Sequence, residues 1–274
     1  MPELPEVEVT KQSLEKILQP PLKLESIDFF RADLRDPIPK KLCKKAEGQI
    51  LRGLSRRAKY LLFEFDELAL ISHLGMTGTW RLASENEALR THDHLRLNFV
   101  DGKQLLYNDP RRFGVFEAGL RTKDGFVYKR FEHLGVEPLS AAFDANELRR
   151  KLASKNLPIK VAIMDQKVVV GVGNIYASEA LFRAHIRPTR KASSLNSVEL
   201  KNLVQAIRQV LKKSIQRGGS SISDFLSASE EKGYFQNTFS VYDREGEKCR
   251  VCEEVIRAKV LGGRSTFWCQ GCQH

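Results

Sequence analysis

Four cysteines near the C-terminus constrain this chain most: Cys249-Arg-Val-Cys252 and Cys269-Gln-Gly-Cys272 stand in the order C-x2-C-x16-C-x2-C. Two such knuckles supply four thiolates, enough to close a tetrahedral Zn(II) shell with no position left open for zinc chemistry. The competing reading, a pair of disulfides, is disfavoured in a reducing cytoplasm. Residues 240–274 are too few to bury a core of their own, so one structural zinc ion per chain is expected to stabilise them. It would hold the intervening hairpin, with Lys259 and Arg264, in a fixed pose. Cys43 is the odd cysteine and reads as an inert thiol.

The remaining sequence has room for two ordinary domains: 274 residues, 42% of them hydrophobic. Lys and Arg number 45 against 34 Asp and Glu, a net charge of +11. Such an excess favours a polyanionic partner through phosphate neutralisation and counterion release. It is spread over Lys40, Lys41, Lys44 and Lys45, then Arg52, Arg56, Arg57 and Lys59, then Arg111 and Arg112, then Lys212, Lys213 and Arg217. A folded surface rather than a flexible arm must carry it. No apolar run approaches the ~18–20 residues that span a bilayer, and the start of the chain, with Glu3, Glu6 and Glu8, lacks the order of a secretion signal. The expectation is a cytoplasmic protein with no membrane partner, and a monomer by default.

Pro5 to Leu18 reads as a helix, with Val7, Leu14, Ile17 and Leu18 on one face and Pro20-Pro21 stopping it. From Leu22 to about Ala118 the pattern changes to short β-rich runs: Leu24–Phe30, Tyr60–Phe65, Leu68–His73, His94–Val100, Gln104–Tyr107 and Gly114–Glu117. With turns such as Asp101-Gly102 between them, these suggest a sandwich or barrel. Glycines from 119 to 140 mark a hinge before a helical half. Asp144 with Glu147, and Asn196 with Glu199, resemble capping boxes. The second opens a long helix whose stripe of Leu200, Leu203, Val204, Ile207, Val210, Leu211 and Ile215 faces a core and which ends at Gly218-Gly219. The fold class is α+β, divided at 1–130, 131–239 and 240–274. His92-Asp93-His94 does not read as a second metal site, because alternate strand residues share a face and a third ligand is missing.

The N-terminus carries a chemical possibility. Removal of Met1 would leave the secondary amine of Pro2 beside the carboxylate of Glu3, a nucleophile with its own acid/base partner. An α-amino group has roughly 300-fold more free base at neutral pH than an unperturbed lysine.

Taken together, these residues resemble one family, the formamidopyrimidine-DNA glycosylases of bacterial base-excision repair. The resemblance rests on Pro2-Glu3-Leu4-Pro5-Glu6, Arg57-Ala58-Lys59-Tyr60, His73-Leu74-Gly75-Met76, Asn108-Asp109-Pro110-Arg111-Arg112-Phe113-Gly114, Gly171-Val172-Gly173-Asn174-Ile175-Tyr176 and the four cysteines. It covers essentially the whole chain. It implies an N-terminal β-sandwich with the leading helix against it, a helix-two-turn-helix domain and a zinc finger, with duplex DNA bearing oxidised purines or abasic sites in the cleft between. The implied activity is excision of 8-oxoguanine or formamidopyrimidines from a flipped-out nucleotide, by attack of the Pro2 amine on C1′ to form a Schiff base, followed by β- and δ-elimination.

The resemblance also assigns residues. Pro2, Glu3, Lys59 and Arg264 are expected to be catalytic, with Glu6 either supporting the site or simply favouring the helix dipole. Met76, Arg111 and Phe113 would fill the gap left by the flipped nucleotide and probe the opposite base; outside the family pattern, Met76 and Phe113 would read as core and Arg112 as a salt-bridge former. His92, Lys155 and Asn174 would contact the DNA backbone, Asn174 while capping a helix. The stretch from Ser220 to Gln236 matches a loop over the flipped base. Lys11 and Gln12 depart from the arginines expected in the first helix. Two other readings remain: an endonuclease VIII-like glycosylase for oxidised pyrimidines, and a noncatalytic zinc-containing damage-binding protein.

Overall fold

A computed structural model describes residues 2–84, 87–122, 125–220 and 234–274, so most of the expected loop from Ser220 to Gln236 lies outside the described residues. These residues form two compact units, one within Met1–Glu132 and Arg217–Tyr234, the other from His133–Gln216 and Phe235–His274.

The first unit opens with α1, Leu4–Leu18, whose N-cap is the extended residue Glu3 and whose first turn contains Pro5, where a missing N–H costs nothing. Leu4, Val7, Leu14 and Leu18 bury one face, and the helix ends on Gln19 in the left-handed region. Strand β1, Leu22–Phe29, leads to the short helix α2, Lys40–Cys43. Nine further strands follow: β2 Ile50–Leu51, β3 Gly53–Arg57, β4 Tyr60–Glu64, β5 Leu68–His73, β6 Thr79–Ala83, β7 Asp93–Phe99, β8 Gln104–Asn108, β9 Val115–Thr122 and β10 Gly125–Val127. They form two five-stranded sheets, ordered β2-β1-β7-β8-β6 and β10-β9-β5-β4-β3, with every pair antiparallel.

The alternation of β7 and β8 aims Leu95, Leu97, Phe99, Leu105 and Tyr107 at a core shared with Leu61, Phe63, Leu70 and Trp80. The Trp80 indole N–H donates to Ser72 Oγ at 3.0 Å, satisfying its polar atom inside that core. On the other face of β4 and β5, Leu62, Ala69 and Ile71 form a second cluster with Tyr128. That is why Leu68–His73 reads as a continuous apolar run rather than alternating: it is covered on both faces. Four strands, β2, β3, β6 and β10, had no counterpart in the pattern, and two of them, β3 and β6, carry arginines. Arg81 in β6 is 4% exposed, paired to Asp93 at 2.7 Å and Glu87 at 2.6 Å. Arg56 in β3 is held by Glu8 at 2.9 Å. Cys43 is buried, and burial pushes its thiol up to about 12, as befits an inert residue.

The second unit contains α3 Ala145–Leu152, α4 Ile159–Met164, α5 Asn174–Arg183 and α6 Ser197–Gln216, then the hairpin of β11 Ile256–Leu261 and β12 Arg264–Cys269. Asp144 accepts from Glu147 N, but Glu147 turns its carboxylate to Arg150, so only half of that capping box forms. The other is complete: Asn196 Oδ1 accepts from Val198 N and Glu199 N at 2.9 and 3.0 Å, and Glu199 Oε2 accepts from Asn196 N at 2.8 Å. The stripe of α6 is buried as expected except at its end. There Ser214 takes the core position, hydrogen-bonded to Tyr176 at 2.6 Å, and Ile215 is half-buried. Among the described residues no helix is long and apolar enough to cross a membrane.

Asn196→Ala deletes one half of the formed box and is expected to lower the stability of the helical unit by about 1 kcal/mol, whereas Asn196→Ser should restore most of it. Urea denaturation followed by helical circular dichroism reads the difference.

Candidate active site and nucleic-acid interface

The N-terminal residues are buried rather than frayed. Pro2 is buried and Glu3 is 2% exposed, and the Glu3 backbone is tied to the carboxylate of Glu6, itself 2% exposed. Glu6 Oε2 accepts the Glu3 N–H at 2.8 Å, so the peptide that follows Pro2 is anchored by the helix it leads into. Glu6 Oε1 accepts from both the backbone N–H and the hydroxyl of Ser220, at 2.9 and 3.0 Å. Ser220 follows Gly219, whose φ of +79° is open to glycine, and a Cβ there would stand 3.3 Å from Glu6 Oε1. Glu6 was read from the sequence as undecided between site support and helix dipole; here it fastens both the first residues and the beginning of the Ser220 segment.

Lys59 lies in the two-residue turn between β3 and β4 and is 8% exposed. The turn needs Ala58 at φ 56°, a conformation costly for a residue with a Cβ. It is braced: Arg56 Nη1 donates to Ala58 O at 2.7 Å, while Arg56 Nε donates to Glu8 Oε2 on α1 at 2.9 Å. Burial would raise the Glu8 carboxyl, but hydrogen bonding to Arg56 and the charges of Lys11 and Arg56 outweigh it and hold the group below the usual range. Lys11 spends its charge within α1, on Glu8 and Glu15. Next to the turn, Tyr60 packs on His73, ring centroids 4.8 Å apart. Burial, then the nearby Lys59 ammonium, pushes the His73 imidazole down to about 4. Its Nδ1 is therefore a free acceptor at neutral pH, and it takes the Gly75 N–H at 3.0 Å.

That bond begins the platform for Met76, Arg111 and Phe113. Asp109, fully buried, joins its two loops: Oδ1 accepts from Thr77 Oγ1 at 2.5 Å and Oδ2 from Gly114 N at 2.8 Å. Arg111 N donates to Thr77 Oγ1, and Asp109 O meets His94 Nε2 at 2.8 Å. The loops touch so closely that a Cβ on Gly75 would stand 2.4 Å from the Phe113 carbonyl carbon, and one on Gly114 1.9 Å from the Tyr107 hydroxyl. On this rigid base Phe113 is 44% exposed, with the Arg111 guanidinium 4.7 Å from its ring centre, and Met76 is half-buried. Phe113 is therefore not core. Arg112 is exposed and only 3.9 Å from Asp33. His92 is exposed with φ 74°.

In the second unit the four Sγ atoms of Cys249, Cys252, Cys269 and Cys272 lie within 4.8 Å of one another. The Cys249 to Cys272 and Cys252 to Cys269 separations are 3.9 and 3.3 Å. A zinc ion with Zn–S bonds of about 2.3 Å needs S···S edges of about 3.8 Å, so the donor set fits tetrahedral zinc. Glu179 on α5 anchors the approach to this module, its carboxylate receiving the N–H groups of Ser240, Val241 and Tyr242 at 2.9–3.0 Å. Gly262 and Gly263, at φ 55° and 72°, make the two-residue turn of the hairpin, in which both positions require positive φ. Arg264 emerges exposed immediately after it.

One expectation changes. Asn174 does not cap α5: Gly173, extended at φ −117°, is the N-cap, and Asn174 is the first helical residue. Its Oδ1 instead accepts from Lys160 Nζ at 2.6 Å. Lys155 is engaged by Asp165 at 2.9 Å, which draws the Asp165 carboxyl down despite partial burial. The lysine that reaches Asn174 is Lys160, fully buried, also donating to Ser265 O and Thr266 Oγ1 at 2.8 and 2.7 Å. Sequence reasoning passed over Lys160, Asp109, Thr77, His73 and Glu179. The i, i+14 spacing of Lys160 and Asn174 carries no recognisable period, whereas Asp109 sat inside a motif already noted.

Protonating His73 breaks its bond to Gly75. An unfolded histidine titrates near ~6.5 and the folded one at about 4, so the unfolded chain binds the extra proton between these values and stability falls as pH drops through that window. His73→Gln should flatten this part of a urea-denaturation profile; an unchanged slope contradicts the assignment. Metal analysis should return one zinc per chain, and Cys272→Ser or a strong chelator should melt the hairpin module while the sandwich, with its separate core, keeps its transition.

Comparison with known proteins agrees along the full length. Three family models match: the formamidopyrimidine-DNA glycosylase N-terminal domain over residues 1–116, the formamidopyrimidine-DNA glycosylase H2TH domain over 134–226, and the zinc finger found in FPG and IleRS over 246–274. A formamidopyrimidine-DNA glycosylase of Bdellovibrio bacteriovorus is 51% identical over 273 residues, covering 100% of both chains. One from Vibrio vulnificus is 44% identical, again over 100% of both. Among solved structures, a Lactococcus lactis FPG mutant in complex with Fapy-dG containing DNA superposes with a TM-score of 0.88 at 36% identity, covering 100% of both chains. The MutM (FPG) protein from Thermus thermophilus gives 0.87 at 37% identity, covering 99% of this chain and 98% of that one.

Proposed function

Because the chain belongs to the formamidopyrimidine-DNA glycosylase family, we propose that its oxidised-purine glycosylase and abasic-site lyase chemistry runs through the Pro2 amine, with Glu3, Lys59 and Arg264 as its catalytic partners. The observation that carries this reading is the burial of Pro2 and Glu3 at the head of a capped helix, with the Glu3 N–H fixed on Glu6. Chain ends are ordinarily poorly ordered unless something ties them down.

The mechanism requires Met1 to be absent, since a retained methionine turns the Pro2 nitrogen into an amide without a free lone pair. The amine attacks C1′ of the damaged nucleotide, and the glycosidic bond breaks with its electron pair going to the departing base. Glu3 delivers a proton to the sugar ring oxygen as the ring opens, leaving an iminium at C1′. That electron sink acidifies C2′, and loss of its proton expels the 3′ phosphate; a second elimination expels the 5′ phosphate. The roles assigned to Lys59, on the sandwich, and Arg264, at the zinc hairpin, are to neutralise the developing phosphate charge. Zinc supplies no step; its four thiolates set the pose of the hairpin that carries Arg264.

Met76, Arg111 and Phe113 act as the wedge that fills the vacated stack and reads the opposite base. His92 and Asn174 contact phosphate. Lys155, paired to Asp165, belongs with them only if DNA displaces that partner, and Lys160 is the better-placed lysine for orienting Asn174. The functional modules are 1–130, 131–239 and 240–274, and the enzyme works as a monomer in the bacterial cytoplasm.

The test compares duplexes carrying 8-oxoguanine opposite cytosine with duplexes carrying thymine glycol. Excision of 8-oxoguanine should be faster by tenfold or more, about 1.4 kcal/mol in transition-state binding, and Glu3→Gln should lose on the order of 10²–10⁴ in rate. Faster release of thymine glycol would move the enzyme to the endonuclease VIII-like class, and full activity of Glu3→Gln would remove that residue from the chemistry.

A further inference from the structure

Where β1 runs out and α2 begins, the sandwich carries a depression of about 500 Å³ that the glycosylase reaction does not use. Its walls include Asp28, Phe29, Phe30, Lys40, Lys44 and Arg96. Two aromatic rings stand here beside three cations. Phe29 touches the core with an edge, its centroid 6.4 Å from that of Phe116, and lies under the Lys40 ammonium at 5.6 Å. Phe30 is 39% exposed, with the Arg96 guanidinium 5.8 Å from its ring centre.

The charges are unequal. Asp28, the one acid in the walls, is consumed: its Oδ2 accepts from Arg96 Nε and Nη2 at 3.0 and 2.8 Å and from Asn98 Nδ2 at 3.0 Å. Burial opposes ionisation of Asp28, but Asn98, Arg96 and the charge of Lys44 draw its carboxyl down. Lys44 is shared with Glu47 at 3.6 Å. Lys40 makes no ion pair with any described residue, its ammonium resting on the Phe29 ring instead.

We propose that this depression is a second nucleotide-binding site, taking a nucleoside phosphate with its phosphate on Lys40 and Lys44 and its base against Phe30. Its volume falls in the range of about 300–1,000 Å³ usual for small-ligand sites. An inorganic anion has no use for an exposed phenyl ring, and a purely apolar ligand would desolvate the Lys40 and Lys44 ammonium groups without replacing their hydrogen bonds. A planar base attached to a phosphate satisfies both features at once, by aromatic stacking and charge-assisted hydrogen bonds. Two sources share this chemistry, a free deoxynucleotide and an unpaired nucleotide at the end of a DNA strand.

The experiment uses the full-length, zinc-loaded protein saturated with a duplex containing a tetrahydrofuran abasic analogue, so that the catalytic face is occupied. Amide chemical shifts of residues 27–30 and 40–44 are then followed during titration with dAMP, a five-nucleotide oligo(dT), inorganic phosphate, or an acidic peptide. The proposal expects saturable shifts with dAMP or oligo(dT), weakened about tenfold or more in Lys40→Gln and in Phe30→Ser. Excision of 8-oxoguanine by both variants should stay at the parent rate. Tighter binding of oligo(dT) than of dAMP identifies a strand end as the ligand, and the reverse a free nucleotide. Equal response to inorganic phosphate, no effect of Phe30→Ser, binding of the acidic peptide alone, or no shifts at millimolar dAMP would each overturn the proposal.

Discussion

The carboxylate of Glu6 is the point on which the arrangement at the start of the chain depends. One oxygen holds the backbone of Glu3, and the other holds the backbone and hydroxyl of Ser220, more than two hundred residues later in sequence. Burying a carboxylate is costly unless its lone pairs are used, and three hydrogen bonds here use them. A nucleophile proposed at Pro2 has to be held by the residues that follow it. The fold answers by starting a helix two residues after Pro2 and capping it from within, so the proposed nucleophile inherits the rigidity of α1.

The same helix steadies the turn that carries Lys59, also proposed to take part in the chemistry. Glu8, on the next part of the α1 surface, grips Arg56, and Arg56 in turn holds the carbonyl of Ala58 in the strained turn that carries Lys59. Removing the charge from Glu8 would free a guanidinium that now compensates backbone strain. Met76, Arg111 and Phe113, the residues proposed as a wedge, are organised on a different principle, a buried hub. Asp109 draws the turn at residues 75–78 and the loop at 109–114 together, and glycines at 75 and 114 permit an approach that any side chain would block. Such rigidity suits residues asked to enter a base stack, where a loosely held phenyl ring would spend its binding energy on its own ordering.

The zinc module and the long helix were legible in the sequence because their signals are local: cysteine spacing, a capping pair, an apolar stripe with helical period. The sandwich was legible as a class, and β5 could be bounded from its composition, yet β3 and β6 were missed because arginines interrupt them. What hid them was compensation by partners distant in sequence, Glu8 for Arg56 and Asp93 with Glu87 for Arg81. The site divides in the same way. Motif residues such as Pro2, Glu3 and the four cysteines announce themselves by type and position. Lys155 and Lys160 do not, since they are lysines five positions apart, and only burial separates the one salt-bridged to Asp165 from the one enclosed against Asn174. Asn174 looked like a cap because asparagine commonly is one, but the preceding glycine already has the extended backbone a cap requires.

The central claim is that the nitrogen of Pro2 is the nucleophile. Borohydride reduction during reaction with a duplex bearing 8-oxoguanine opposite cytosine, followed by proteolysis and mass spectrometry of the DNA-linked peptide, tests it directly. The account predicts a single adduct on a peptide that begins at Pro2, with Met1 gone. An adduct on a lysine, or normal strand cleavage with no trapped species from protein whose free terminus is Pro2, would contradict it.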